Sequence, residues 1–118
     1  MLHQSGTAKL NKKFSHRIAM LRNQVIHLIS YGHLVTTKAR VKEVQRMAEK
    51  AVTVARGGNT FNVRRNLHAL LPYKKEAVIK LIKEIAPNYM TRPGGYTRVI
   101  PLGARTSDTA VIARLEWV

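Results

Sequence analysis

Residues 32–58, GHLVTTKARVKEVQRMAEKAVTVARGG, change period part-way along. After Gly32 the run His33-Leu34-Val35-Thr36-Thr37 is short and β-branched, the composition of a strand of four or five residues. From Ala39 to Arg56 the apolar residues return every three or four positions instead. Val41, Val44, Met47, Ala48, Ala51, Val52 and Ala55 mark one side of a helix, and Lys42, Arg46, Glu49, Lys50 and Thr53 the other. Gly57-Gly58-Asn59 ends it. A strand running straight into a helix buries both apolar faces when a small sheet packs on a helical layer, which is an α+β arrangement.

The flanks extend the same pattern. Upstream, Ser15 is placed to cap a helix that runs to Tyr31 and stops at Gly32, with Ile18, Leu21, Val25, Leu28 and Ile29 along one face. At about 100° per residue, Arg22 falls between Ile29 and Ile26 at the edge of that face. Its stem can cover core while its head reaches water, or it can be pinned there to present its guanidinium to a phosphate, and the two are compatible. Residues 1–14 show no apolar period and form a basic, extended arm. Downstream, Thr60 caps a third helix with Val63, Leu67, Leu70 and Leu71 inward, and Pro72 stops it. A fourth helix spans Lys74 to Ala86 with Ala77, Val78, Leu81, Ile82 and Ile85 inward, closed by Pro87. Tyr96 to Leu102 is β-prone, but Pro101 confines it to an edge or a strand end. Ala104 to Thr109 is a polar turn. Ala110 to Val118 alternates, Val111, Ala113, Leu115 and Trp117 on one side and Arg114 and Glu116 on the other. The expected fold is four helices packed with a small mixed sheet, in the order helix, strand, three helices, two strands. It forms one domain over residues 15–118, preceded by the arm.

Charge narrows the function. The chain has 118 residues, 45% of them apolar, with 21 Lys and Arg against 6 Asp and Glu and a formal net charge of +15. Such an excess opposes compaction unless a polyanion neutralises it, so nucleic acid and anionic membrane are the first partners to weigh. No acid precedes Glu43. With no cysteine there is neither a disulfide framework nor a thiolate metal site. The longest uncharged run, Asn23 to Thr37, is too short and too polar to span a bilayer, and the first residues lack the apolar stretch of a secretory leader. Glu43, Glu49, Glu76, Glu84, Asp108 and Glu116 form no evident catalytic pair and read as surface ion-pair members. His3, His16, His27, His33 and His68 have no metal-ligand spacing. There is no phosphate-binding loop or dinucleotide fingerprint. Neither an enzyme, nor a metal, nor a cofactor, nor a small-molecule substrate is expected.

Binding candidates remain. The arm carries Lys9, Asn11, Lys12 and Lys13, whose cations gain order only when phosphates pair them, so residues 1–13 are expected to be mobile in the free protein. Arg64 and Arg65 open the third helix, where a cation pair is unfavourable unless an anion lies opposite. The densest local signal is Arg92-Pro93-Gly94-Gly95-Tyr96-Thr97-Arg98. Two glycines let the backbone approach a phosphate or sugar, Tyr96 is placed to stack on a base, and Arg92 and Arg98 to clamp phosphates. An ordinary glycine turn leading into a strand explains the same residues.

That segment, with Glu84-Ile85-Ala86-Pro87-Asn88-Tyr89 before it, resembles the signature of the bacterial-type large-subunit ribosomal protein family numbered seventeen (L-seventeen). Gly6, Lys9-Leu10-Asn11, Ser15-His16-Arg17 and Arg22-Asn23 resemble the family's opening motif. Thr36-Thr37 with Lys38-Ala39 is similar to its strand-to-helix junction, and Asp108 with Leu115-Glu116 to its ending. The resemblance runs collinearly over essentially the whole chain. It implies a structural constituent of the large ribosomal subunit that binds large-subunit ribosomal RNA near the exit of the nascent-peptide tunnel and touches neighbouring ribosomal proteins. The implied location is the cytoplasmic ribosome, with an organellar one also compatible. Leu2, Gln4, Ser5 and Ala8 stand where the family commonly has basic residues, which shifts the arm's contacts to Lys9, Lys12 and Lys13. The residues expected at RNA are Lys9, Asn11, Lys12, Lys13, His16, Arg17, Arg22, Asn23, Lys38, Arg64, Arg65, Arg92, Gly94, Gly95, Tyr96, Thr97, Arg98 and Arg105.

Two other readings compete. Three consecutive helices can hold a helix-turn-helix that reads a specific DNA sequence. Against it, no single helix gathers a base-reading set of Arg, Asn and Gln on one face, and the cations are spread widely enough to suit RNA wrapping several sides. A polybasic membrane-surface protein calls for a helix with an exposed Trp or Phe face, yet Trp117 lies in the terminal strand pattern.

Overall fold

The computed structural model describes residues 14–118, with side chains from Ser15 onward. The expected mobility of residues 1–13, and with it Lys9, Asn11, Lys12 and Lys13, lies outside the described residues. Helix α1 (Phe14–Tyr31) begins before Ser15, so that serine sits inside the first turn rather than capping it. Gly32 ends α1 with a left-handed φ of +83°, its N–H bonded to the Leu28 carbonyl at 2.9 Å. Strand β1 (His33–Thr37) passes directly into α2 (Lys38–Ala55). Helix α3 (Phe61–Leu70) is capped as expected: Thr60 Oγ1 accepts from the Val63 N–H at 3.3 Å.

The fourth helix departs from expectation. Helix α4 (Lys75–Lys80) continues through a π-helical turn, Leu81–Ile85, and a 3-10 turn, Ala86–Tyr89. Pro87 therefore does not close the helical path. It lies within the first two positions of the 3-10 turn. Strands β2 (Thr97–Ala104) and β3 (Val111–Trp117) follow as a hairpin.

The sheet order is β1-β3-β2, and both ladders are antiparallel, so the sheet is not mixed. The hairpin turns β3 against β2, and β3 also runs against β1. The two strands that share a direction are thus held apart by the one that opposes both. Leu115 lies opposite Leu34 on one side and Val99 on the other, and Ala113 lies opposite Thr36 and Pro101. Pro101 falls on the edge strand as expected, beside a bulge between Pro101 and Gly103.

The face of the sheet that bears Ala113 and Leu115 packs on α1 and α2. Ala48, Ala51 and Ala55 are small enough to let α2 approach its neighbours closely, and Val41, Val44 and Val52 fill the space between. Leu28, Leu67, Leu71 and Leu81 are fully enclosed, each contributing about 1.5–3 kcal/mol by burial. The end of β3 is latched. Tyr89 Oη donates to the Val118 carbonyl at 2.8 Å, the Val118 N–H to Tyr96 at 2.9 Å, and Trp117 Nε1 to Leu28 at 3.3 Å.

Candidate nucleic-acid interface

Burying one side of α2 fixes what the other side presents. Lys38, Lys42, Arg46 and Lys50 are all exposed and follow one another at four-residue intervals, a rise of about 6 Å per step. They form a cationic stripe along one helix. Only Lys38 was expected at RNA; Lys42, Arg46 and Lys50 were read as the polar side of a helix. Their signal was in the sequence, as a period of four starting at Lys38.

Beside the stripe lies a groove of about 330 Å³ between α1, α2 and the end of α3. Ile18, Leu21, Met47 and Leu70 give it an apolar floor, and Arg17, Arg22, Arg46 and Lys50 bring cations to it. Arg17 is buried at 8% exposure and His16 is exposed beside it. Arg22 covers the core edge as one of the two helix-wheel readings expected. Its stem is half-buried at the core edge, and its guanidinium lies 5.9 Å from the Tyr73 ring centre, with Nη2 3.5 Å from the Ala69 carbonyl. Its Nε is buried with no hydrogen-bond partner among the described residues. Glu43 lines the same groove, 4.0 Å from Arg46 and with a side chain only 8% exposed, so it is a buried carboxylate rather than a surface one.

Helix α3 adds a second basic face. Arg64 Nη1 donates to Asn59 Oδ1 at 3.1 Å, and the Arg65 guanidinium lies 5.8 Å from the centre of the exposed Phe61 ring. Asn62 and Asn66 are exposed on the same helix. Helix α3 thus carries two Arg and two Asn, all exposed, but no Gln. Phe61 was missed, although an aromatic four residues before an arginine is the spacing that stacks the two. Asn23 and Lys38 are exposed.

The glycine segment is held from inside. Glu49 makes no ion pair among the described residues: Oε1 accepts from the Gly95 N–H at 3.1 Å, and Oε2 from the Thr97 N–H at 2.9 Å and from Thr97 Oγ1 at 2.7 Å. Gln45 Nε2 donates to Thr97 Oγ1 at 3.1 Å. Tyr96 is fully buried, its hydroxyl accepting from Arg56 Nη1 at 2.9 Å and its ring 5.4 Å from that of Tyr89. It offers no face for a base to stack on, and Thr97 is buried with it. The reason is long-range: Glu49 and Arg56, on and just after α2, pull the segment inward. Gly95 has φ +67°, and Arg92 Nη1 donates to its carbonyl at 3.2 Å, so this arginine braces the turn while staying exposed.

Arg98 and Arg105 also have carboxylate partners. Arg98 Nη2 meets Glu116 Oε2 at 2.7 Å, Arg114 Nε meets Glu116 Oε1 at 2.8 Å, and Arg105 Nη2 meets Asp108 Oδ2 at 2.8 Å. Glu116 and Asp108 are thus ion-pair members as read from the sequence. Hydrogen bonds from Arg98 and then Arg114 hold the Glu116 carboxyl below the usual glutamate range, and Arg105 does the same for Asp108.

The sequence profile of a family described as Ribosomal protein L17 matches residues 20–118. A large ribosomal subunit protein bL17 of Carboxydothermus hydrogenoformans is 44% identical over 92% of this chain and 95% of its own length. That of Sulfurimonas denitrificans is 43% identical over the full length of both chains. That of Bdellovibrio bacteriovorus is 42% identical over 98% of this chain, which spans 63% of that longer protein.

Proposed function

This chain belongs to the ribosomal protein L17 family of large-subunit ribosomal proteins, and from that premise we propose that it binds large-subunit ribosomal RNA through phosphate contacts near the exit of the nascent-peptide tunnel. The observation that carries the RNA reading is the α2 stripe of Lys38, Lys42, Arg46 and Lys50, continuous with the groove at Arg17 and Arg22. His16, Asn23, Arg64, Arg65 and Arg92 widen the contact, and Lys9, Asn11, Lys12 and Lys13 add further cationic and polar groups to it. Gly94 and Gly95 contribute through the shape of the turn, whereas Tyr96 and Thr97 support it from within. Side chains at regular spacing, charged and without a base-reading geometry of their own, suit positioning on a phosphate backbone. The family is one of ribosomal structural proteins, not of enzymes. No described helix is long and apolar enough to cross a membrane.

Salt titration of RNA binding tests this. Log affinity falls with log salt by about 0.7–0.9 per phosphate neutralised, and several contacts give a slope of magnitude about four or more. Lys42→Ala with Lys50→Ala flattens that slope by about two contacts' worth and leaves the melting midpoint in place. A near-flat slope in the unmutated protein, or one the double variant does not change, overturns the assignment to the stripe.

A further inference from the structure

The cationic excess stops at the terminal hairpin. Residues 97–118 hold three arginines and two carboxylates, and each arginine contacts one of those carboxylates. The rest of the chain therefore carries all but one unit of the +15.

The same sheet leaves apolar side chains open on β1 and on the hairpin. Ala113 and Leu115 point to the helices, so alternation turns Ile112, Arg114 and Glu116 to the other face of the sheet. Across the strands on that outer face, Arg114 lies between Val35 and Ile100, which are 47% and 36% exposed. The Arg114 head is tied to Glu116, which leaves its aliphatic stem between the two apolar side chains. Leu102 at the bulge and Val111 opposite Ala104 extend apolar exposure along the hairpin beyond the helical layer.

We propose that this outer sheet face docks a neighbouring protein of the large subunit, one that presents an apolar segment without a basic excess, and that it does not contact RNA. The proposal rests on the ribosomal reading above and assigns a surface to the protein side of it. Three observations select the occupant. The arginines of the hairpin are already neutralised, so a phosphate there competes with Glu116 and Asp108. A second copy of this chain brings another +15 and is repelled. Strand addition along the β2 edge is obstructed by Pro101, which has no N–H to offer, and by the adjacent bulge. On the hairpin side the face, not the β2 edge, is what remains.

The test is site-specific photo-crosslinking in purified, assembled large subunits, with a photoreactive residue replacing Val35 in one preparation and Lys42 in another. The Val35 probe is expected to give an adduct destroyed by protease and resistant to ribonuclease, containing one other ribosomal protein. The Lys42 probe is expected to give an RNA adduct. An RNA adduct, a self-adduct or no adduct from Val35 overturns the docking face. Failure of Lys42 to label RNA counts against the RNA reading instead, so the two failures are separable. As a second arm, Val35→Ser with Ile100→Ser should leave the RNA affinity of the purified protein within about twofold, while retention on salt-washed subunits falls several-fold. Unchanged retention, or an equal loss of RNA affinity, contradicts the proposal.

Discussion

Single residues in this protein act through partners far away in sequence, and the Gly95 turn shows how. Its N–H is held by Glu49, forty-six positions earlier, and the same carboxylate takes both donors of Thr97. Gly95 itself is needed for its backbone rather than its size. A Cβ there would meet nothing within 4 Å, but φ is +67°, a region that costs an ordinary L-residue about 1–2 kcal/mol. Gly95→Val should therefore lower the melting midpoint, while Gly94→Ala, equally open and free of that constraint, should leave it nearly unchanged. Equal midpoints for the two variants would contradict the backbone account. Glu116 gives a second residue-scale prediction. Its carboxyl is held below the usual range in the folded state by Arg98 and Arg114, so the folded protein resists its protonation. The stability this adds is present above the ordinary glutamate range and is lost as pH falls through the lowered value. Glu116→Gln should be less stable than the unmutated protein at neutral pH, with the gap closing in acid. Denaturant midpoints measured across that range decide it, and a gap that widens in acid contradicts the assignment.

At the scale of elements, α3 is the one whose stability rests most on its end. Leu67 is its fully buried residue, and Thr60 Oγ1 supplies the cap. Thr60→Ala should cost about 0.5–2 kcal/mol in urea unfolding, with the salt slope of RNA binding nearly unchanged because Arg64 and Arg65 remain. A large loss of slope would show that the α3 face, rather than α2, dominates the interface. What could be read from the sequence was local. The period of α2, the cap at Thr60 and the alternation around Ala113 and Leu115 all follow from neighbours three, four or two positions apart. What could not be read was set by distant contacts. Tyr96 looked like an exposed aromatic beside two glycines, and only Glu49 and Arg56 turn it inward. Pro87 read as a stop because the π turn before it leaves no local trace. The strand order was likewise beyond local reading, since β1 pairs with β3 across most of the chain. The stripe from Lys38 to Lys50 is a different case: its spacing was legible, yet Lys38 alone of its four cations was taken as a site.

At the scale of the molecule, charge divides the surface in two. The helical side carries the stripe, the groove and the α3 arginines, while the outer sheet face pairs its arginines internally and leaves Val35 and Ile100 open. This division is what the two proposals, nucleic acid on one side and protein on the other, rest on. Residues 1–13 are basic in composition and are proposed to serve the nucleic-acid contact. Deleting residues 1–13 should weaken RNA binding and reduce its salt slope, while the thermal midpoint of the remaining domain stays nearly unchanged, because Lys9, Lys12 and Lys13 bring charge and few apolar anchors. A large fall in the midpoint would instead make the arm part of the core. The most direct measurement is sedimentation of the protein with intact ribosomal subunits through gradients of rising salt. The protein should travel with the large subunit at low salt and be released as salt increases. Finding it free, or on the small subunit, at low salt would contradict the account.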